Sequence, residues 1–94
     1  MNAIAFPIAK LRLGRIFITP HAKDMLPDAD VQAAIGRHQA GDWGDLEPED
    51  RSANDRALIK GTRIISAYQS QNMRFWILTE ADRSRTTVLF PEEY

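Results

Sequence analysis

Histidine is the side chain whose ordinary pKa lies closest to neutrality, so His21 and His38 are the first places to look for proton transfer. His21 falls at the start of a short helical pattern, directly after a strand, where a side chain can be aimed at the end of a sheet. It suits either a general base for RNA cleavage or transfer chemistry, or a helix-start residue without chemistry. His38 falls on the apolar stripe of a second helical pattern, the place of a packed, hydrogen-bonded core histidine. The two are distant in sequence and no nearby carboxylate has ligand spacing, so no metal site is expected. Arg63, Arg74, Arg83 and Arg85 stand at or near strand ends. If Arg63, Arg74 and Arg85 share a face they can hold a phosphate bidentately; the other role for such arginines is to guard sheet edges.

The acids gather in one stretch: Asp42, Asp45, Glu47, Glu49, Asp50 and Asp55, with only Arg51 among them before Arg56. They can form a negative patch that occupies a cationic groove on a partner, or cap and solvate a helix. Trp43 sits in the same loop, either folded over the core or presented as a binding anchor. In the polar run 79–87, Asp82 and Ser84 can bond backbone amides and close a hairpin. Glu80 and Arg85 then face each other across it. Ser84 has no nearby base and no G-x-S-x-G elbow, so it is not read as a nucleophile.

Local patterns predict the elements that position these groups. Residues 62–69, 74–80 and 85–90 are rich in β-branched and aromatic side chains, and the breaks between them are short and polar. Breaks that short join antiparallel neighbours, so the segment reads as a three-stranded antiparallel meander. Residues 15–19 read as an N-terminal strand, with Gly14 marking a bend before it. Thr19 and Pro20 then suit the N-cap and first turn of a helix that Pro27 stops. A second helix runs from an Asp28 N-cap toward Gly41, with Val31, Ala34, Ile35 and His38 on one stripe. A third opens at Pro48-Glu49-Asp50 and closes at Gly61, with Lys60 at the negative end of its dipole. The expected fold is α+β: an N-terminal strand, two to three short helices on one sheet face, then the meander. How residues 15–19 pair is left open by the sequence.

Ninety-four residues suit one domain, with residues 1–9 a loose arm. The net charge of −1 offers no global attraction to nucleic acid or to an anionic membrane. The absence of cysteine removes disulfides, thiolate catalysis and zinc–thiolate sites. No signal peptide or membrane span is expected, which makes a cytoplasmic location the expectation. No cofactor is called for.

Two resemblances add to this. The run Gly41-Asp42-Trp43-Gly44-Asp45-Leu46, with Glu49-Asp50, Asn54-Asp55, Leu58, Arg63-Ile64, Ser66 and Tyr68, is one half of a pattern. Trp76 to Ser84 in sequence, Thr86-Thr87 and Pro91-Glu92-Glu93-Tyr94 are the other half. Together they resemble a family of small uncharacterised bacterial proteins met on plasmids and other mobile elements. That resemblance implies a setting in plasmid maintenance or in countering host defence, and no particular chemistry. Phe17-Ile18-Thr19-Pro20-His21-Ala22 is similar to small toxin ribonucleases of the RelE and BrnT type. That similarity implies catalysis by His21, Arg63, Arg74 and Arg85 on bound RNA. The expectation taken forward is a non-catalytic module that binds a protein partner through Asp42, Trp43, Asp45, Glu47, Glu80, Asp82, Arg83 and Arg85. Nucleic acid would be the partner only of the toxin alternative. A third expectation is a homodimer through an uncovered meander edge.

Overall fold

The computed structural model describes residues 9–94. The expected N-terminal arm lies outside the described residues apart from Ala9. The described chain runs β1 (Arg15–Ile18), α1 (Pro20–Met25), α2 (Asp28–Gln39), α3 (Pro48–Lys60), β2 (Ile64–Ser70), β3 (Met73–Thr79), β4 (Arg85–Leu89) and a final 3₁₀ turn, Pro91–Glu93.

Helix termini follow the local chemistry. The Thr19 hydroxyl accepts from the Ala22 amide at 3.1 Å and Pro20 opens α1. In α2 the cap residue is Pro27, so Asp28 lies one position inside the helix and acts on its dipole rather than as a side-chain cap. Gly61, at φ 74°, closes α3 in the left-handed conformation. Between β2 and β3, Gln71 and Asn72 both take positive φ, the two-residue turn whose twist matches antiparallel strands.

The meander is present: β2 pairs antiparallel with β3, and β3 with β4. It is not the whole sheet. β1 pairs parallel with β4, from Arg15↔Arg85 to Ile18↔Val88, giving a four-stranded mixed sheet in the order β1-β4-β3-β2. The three helices supply the crossover that a parallel pairing requires. Gly14 helps set the register. At φ 63° its backbone lies so close to the Arg83 and Ser84 carbonyls that any Cβ would collide with them.

Both meander edges are covered. β1 lies along β4, and β2 is flanked by the 43–45 segment, where Ala67 donates to the Trp43 carbonyl (3.2 Å) and accepts from the Asp45 amide (2.8 Å). Asn54 of α3 donates to the Ile65 carbonyl at 2.9 Å on the same edge. Among the described strands the sheet ends at β1 and β2; β2 is bridged by the 43–45 segment at Ala67, and the edge strand β1 exposes Ile16 and Phe17.

Strand side chains alternate between faces. Tyr68, Phe75, Ile77 and Val88 point toward α1 and α2 and form a core with Ala22, Leu26, Val31 and Ala34. A second cluster joins Leu11, Leu13, Trp43, Ala57 and Ile64 under α3. Arg74, Trp76, Arg85 and Phe17 occupy the alternate positions and lie on the other face.

Candidate functional site

The His38 ring is fully buried between α2 and the sheet. Its Nδ1 lies 2.5 Å from Ser66 Oγ and its Nε2 lies 2.8 Å from Thr79 Oγ1. Thr79 Oγ1 is in turn 2.7 Å from Thr86 Oγ1, which donates to the Leu13 carbonyl at 2.7 Å. A threonine hydroxyl has one hydrogen. Thr86 gives its hydrogen to Leu13, so Thr79 donates to Thr86 and His38 Nε2–H donates to Thr79. Nδ1 then accepts from Ser66, which assigns the neutral tautomer. Burial, helped by the charge of Arg83, lowers the His38 pKa from 6.5 to about 4. This is a satisfied core histidine, as its place on the α2 stripe predicted.

His21 lies elsewhere, exposed, with its ring against Phe90 at a centroid distance of 5.1 Å. It lines a surface cavity of about 340 Å³ together with Arg74, Met25, Met73 and Glu92. Of the three arginines weighed with His21, only Arg74 reaches that cavity. Arg63 joins Arg74 in a different groove, beside α3. Arg85 lies over the Phe17 ring at 5.8 Å, as does Arg15 at 5.6 Å. The three guanidinium groups share a sheet face, but Arg85 lines neither of the cavities that Arg74 reaches.

The 42–47 loop is built from its own side chains. The Asp42 carboxylate accepts from Arg37 Nε at 2.7 Å and from the Arg37 NH2 at 3.2 Å. It also accepts from the Gly44 amide at 3.2 Å. The Arg37 fork holds the Asp42 pKa below the usual carboxylate range. Arg37 lies over the Tyr68 ring at 4.9 Å, and the Tyr68 hydroxyl donates to the Asp42 carbonyl at 2.7 Å. Burial raises the Tyr68 pKa to about 12. Arg37 stands out in the sequence only as a basic residue in the last turn of a helix, five positions before an aspartate.

Trp43 is only 3% exposed, its ring edge-on to His38, and its Nε1 donates to Asp55 at 2.9 Å. It is a lid on the second core cluster and has no surface to offer a partner, which corrects its place in the expected interface. Gly44, at φ 73°, lets the chain turn against β2, and the indole packs on Leu11, Leu13, Ala57 and Ile64.

The hairpin tip closes as expected, with the Asp82 carboxylate accepting from the Ser84 amide at 2.9 Å. That bonding, from the Ser84 side chain first and its amide next, lowers the Asp82 pKa. The Glu80 amide donates to the Arg85 carbonyl at 3.1 Å, so these residues are opposed across the hairpin. Arg83 turns back into the fold. Its guanidinium donates to the carbonyls of Thr62 (2.7 Å), Ala57 (2.9 Å) and Glu80 (3.1 Å), pinning the tip to the C-terminal end of α3. The acidic loop enters the other end of that helix. Thirteen residues of α3 separate them, about 20 Å of rise. Loop and tip are two surfaces.

Four carboxylates remain presented together. Asp45, Glu47, Glu49 and Asp50 are all exposed, on the approach to α3 and its first turn. Among the described residues the Arg37–Asp42 pair is the one ion pair, so none of the four has a cation within bonding distance. The fold and these surfaces define a small α+β module. No family model, curated protein or solved structure matches the chain. No described helix is long and apolar enough to cross a membrane.

Proposed function

We propose that this chain is a non-catalytic module that binds a protein partner through the acidic entrance to α3, and that it acts in the cytoplasm of a bacterium carrying a mobile element. The observation that carries the reading is the unpaired set Asp45, Glu47, Glu49 and Asp50. The helix dipole favours Glu49 and Asp50 in the first turn. Asp45 and Glu47 lie before that turn, and like charges so close repel one another. A cationic surface on a partner relieves that repulsion and speeds encounter. Of the residues first grouped as partner-binding, Asp45 and Glu47 belong to this surface. Asp42, Trp43 and Arg83 hold the fold, while Glu80, Asp82 and Arg85 lie at the far hairpin. The mobile-element setting rests on the resemblance of the 41–46 and 79–84 motifs.

The test is capture from a host lysate by the wild-type chain and by the triple reversal Asp45→Lys, Glu47→Lys, Glu49→Lys. These side chains bond to nothing described in the fold, so the variant should keep the wild-type circular dichroism spectrum. Loss of a specific, salt-sensitive partner is the expected result. An identical capture profile would remove the reading.

One observation favours a second reading, the ribonuclease toxin: His21 and Arg74 line the same cavity. In that reading His21 takes a proton from a ribose 2′-hydroxyl and Arg74 holds the adjacent phosphate. Induced expression should then arrest growth, and His21→Ala should relieve the arrest. Normal growth on induction, or arrest indifferent to that substitution, rejects it.

A further inference from the structure

Next to the acidic surface, and sharing Asp50 with it, lies a groove of about 370 Å³ between the N-terminal half of α3 and the sheet face that α1 and α2 do not cover. Its volume lies within the range of about 300–1,000 Å³ common for small-ligand sites. Arg63 and Arg74 line it with Trp76, Ile65, Leu46 and Asp50. Among the described residues neither guanidinium is in an ion pair. Each is held by a group that orients it without cancelling its charge. Arg63 lies over the Tyr94 ring at 5.2 Å, and one NH2 of Arg74 donates to the Asp45 carbonyl at 3.1 Å. A guanidinium carries five N–H donors, so both keep donors free for an anion.

Beside the two cations the lining is largely aromatic and apolar. Trp76 is half-buried, and Tyr94 meets it nearly edge-on, centroids 5.7 Å apart and planes at 69°. That contact packs Tyr94 against the indole. Asp50, exposed and without a cation, adds an acceptor. Two cations for a phosphate, an aromatic side chain for a ring and a carboxylate for a hydroxyl or amino donor are the complementary chemistry of a nucleotide.

We propose that this groove binds a nucleotide, with its phosphate between Arg63 and Arg74 and its base against Trp76. The site goes beyond the protein-binding role and does not depend on it. The same chemistry is offered by a free nucleoside monophosphate and by one residue of a single-stranded nucleic acid. Net charge gave no hint of it, because the chain's acids lie mostly on other surfaces.

The test follows tryptophan fluorescence while AMP, a single-stranded hexanucleotide or inorganic phosphate is added. Saturable quenching by AMP or by the hexanucleotide is expected. Trp76→Phe should abolish the quenching and leave the emission of buried Trp43 unchanged, which also reports an intact fold. Arg63→Gln and Arg74→Gln should each weaken binding roughly tenfold or more, and Arg74→Lys, which keeps charge and loses the fork, by less. Tighter binding of the hexanucleotide than of AMP assigns the strand as the source; equal binding assigns the free nucleotide. The proposal is overturned if neither quenches at millimolar concentration, if binding is indifferent to both Gln substitutions, or if inorganic phosphate acts as strongly as AMP. Partner capture is read by reversing Asp45, Glu47 and Glu49, and nucleotide binding by Trp76→Phe and Arg63→Gln, which touch none of those acids, so the two readings can fail separately.

Discussion

His38 ties the stability of the fold to pH. In the fold its neutral form is held by Ser66 and Thr79 and its pKa falls to about 4; in the unfolded chain it returns to 6.5. Between those values the unfolded chain binds the extra proton, so stability rises with pH. The contribution is complete above about pH 6.5 and is lost as pH falls toward 4, about 3 kcal/mol in all. Urea midpoints should drop across that window. Asp42, with its lowered pKa, acts only below the ordinary carboxylate value and does not blur it. His38→Leu should flatten the window and cost about 2–4 kcal/mol at neutral pH, because two buried hydroxyls lose their partner. Much of this was legible: the stripe Val31, Ala34, Ile35, His38 placed the ring inside. Its hydroxyl partners were not, since Ser66, Thr79 and Thr86 come from three strands.

At the scale of elements, two glycines make opposite predictions. Gly36 lies in α2 with open space where a Cβ would go, so Gly36→Ala should raise stability by about 0.5–1 kcal/mol through helix propensity alone. Gly44 is at φ 73°, and its Cβ would collide with the Ala67 carbonyl and come within 2.9 Å of the Tyr68 ring. Gly44→Ala should therefore cost at least about 1–3 kcal/mol and release the segment that covers β2. Chemical denaturation reads both, and a protease that cuts more readily near Gly44 in the variant would report the freed edge. The elements themselves were legible because their signals are short-range: Thr19-Pro20 and Pro48 start helices, Gly61 ends one, and β-branched runs make strands. The cap of α2 was misplaced by one residue because Pro27 and Asp28 both suit a helix start.

Across the whole molecule, the net charge of −1 conceals a separation of charge. Carboxylates crowd the entrance to α3, while Arg15, Arg63, Arg74 and Arg85 belong to the sheet face away from α1 and α2. Capture of a protein partner through the acidic surface should therefore weaken as salt rises from about 0.05 to about 0.5 M, where the Debye length shrinks well below the size of the patch. Salt-independent capture would mean another surface is in use. None of this separation follows from composition. Helices, strands and turns depend on neighbours a few positions away, and the order of residues along the chain was enough to define them. Which strand lies beside which, and which acids or arginines end on one surface, depends on pairs such as Thr86 with Leu13, 73 positions apart, and Thr19 with Glu93, 74 apart. Contacts that distant form only when the chain packs as one body. Packing put β1 beside β4, turned Trp43 inward, and left Arg85 outside the groove that Arg63 and Arg74 line.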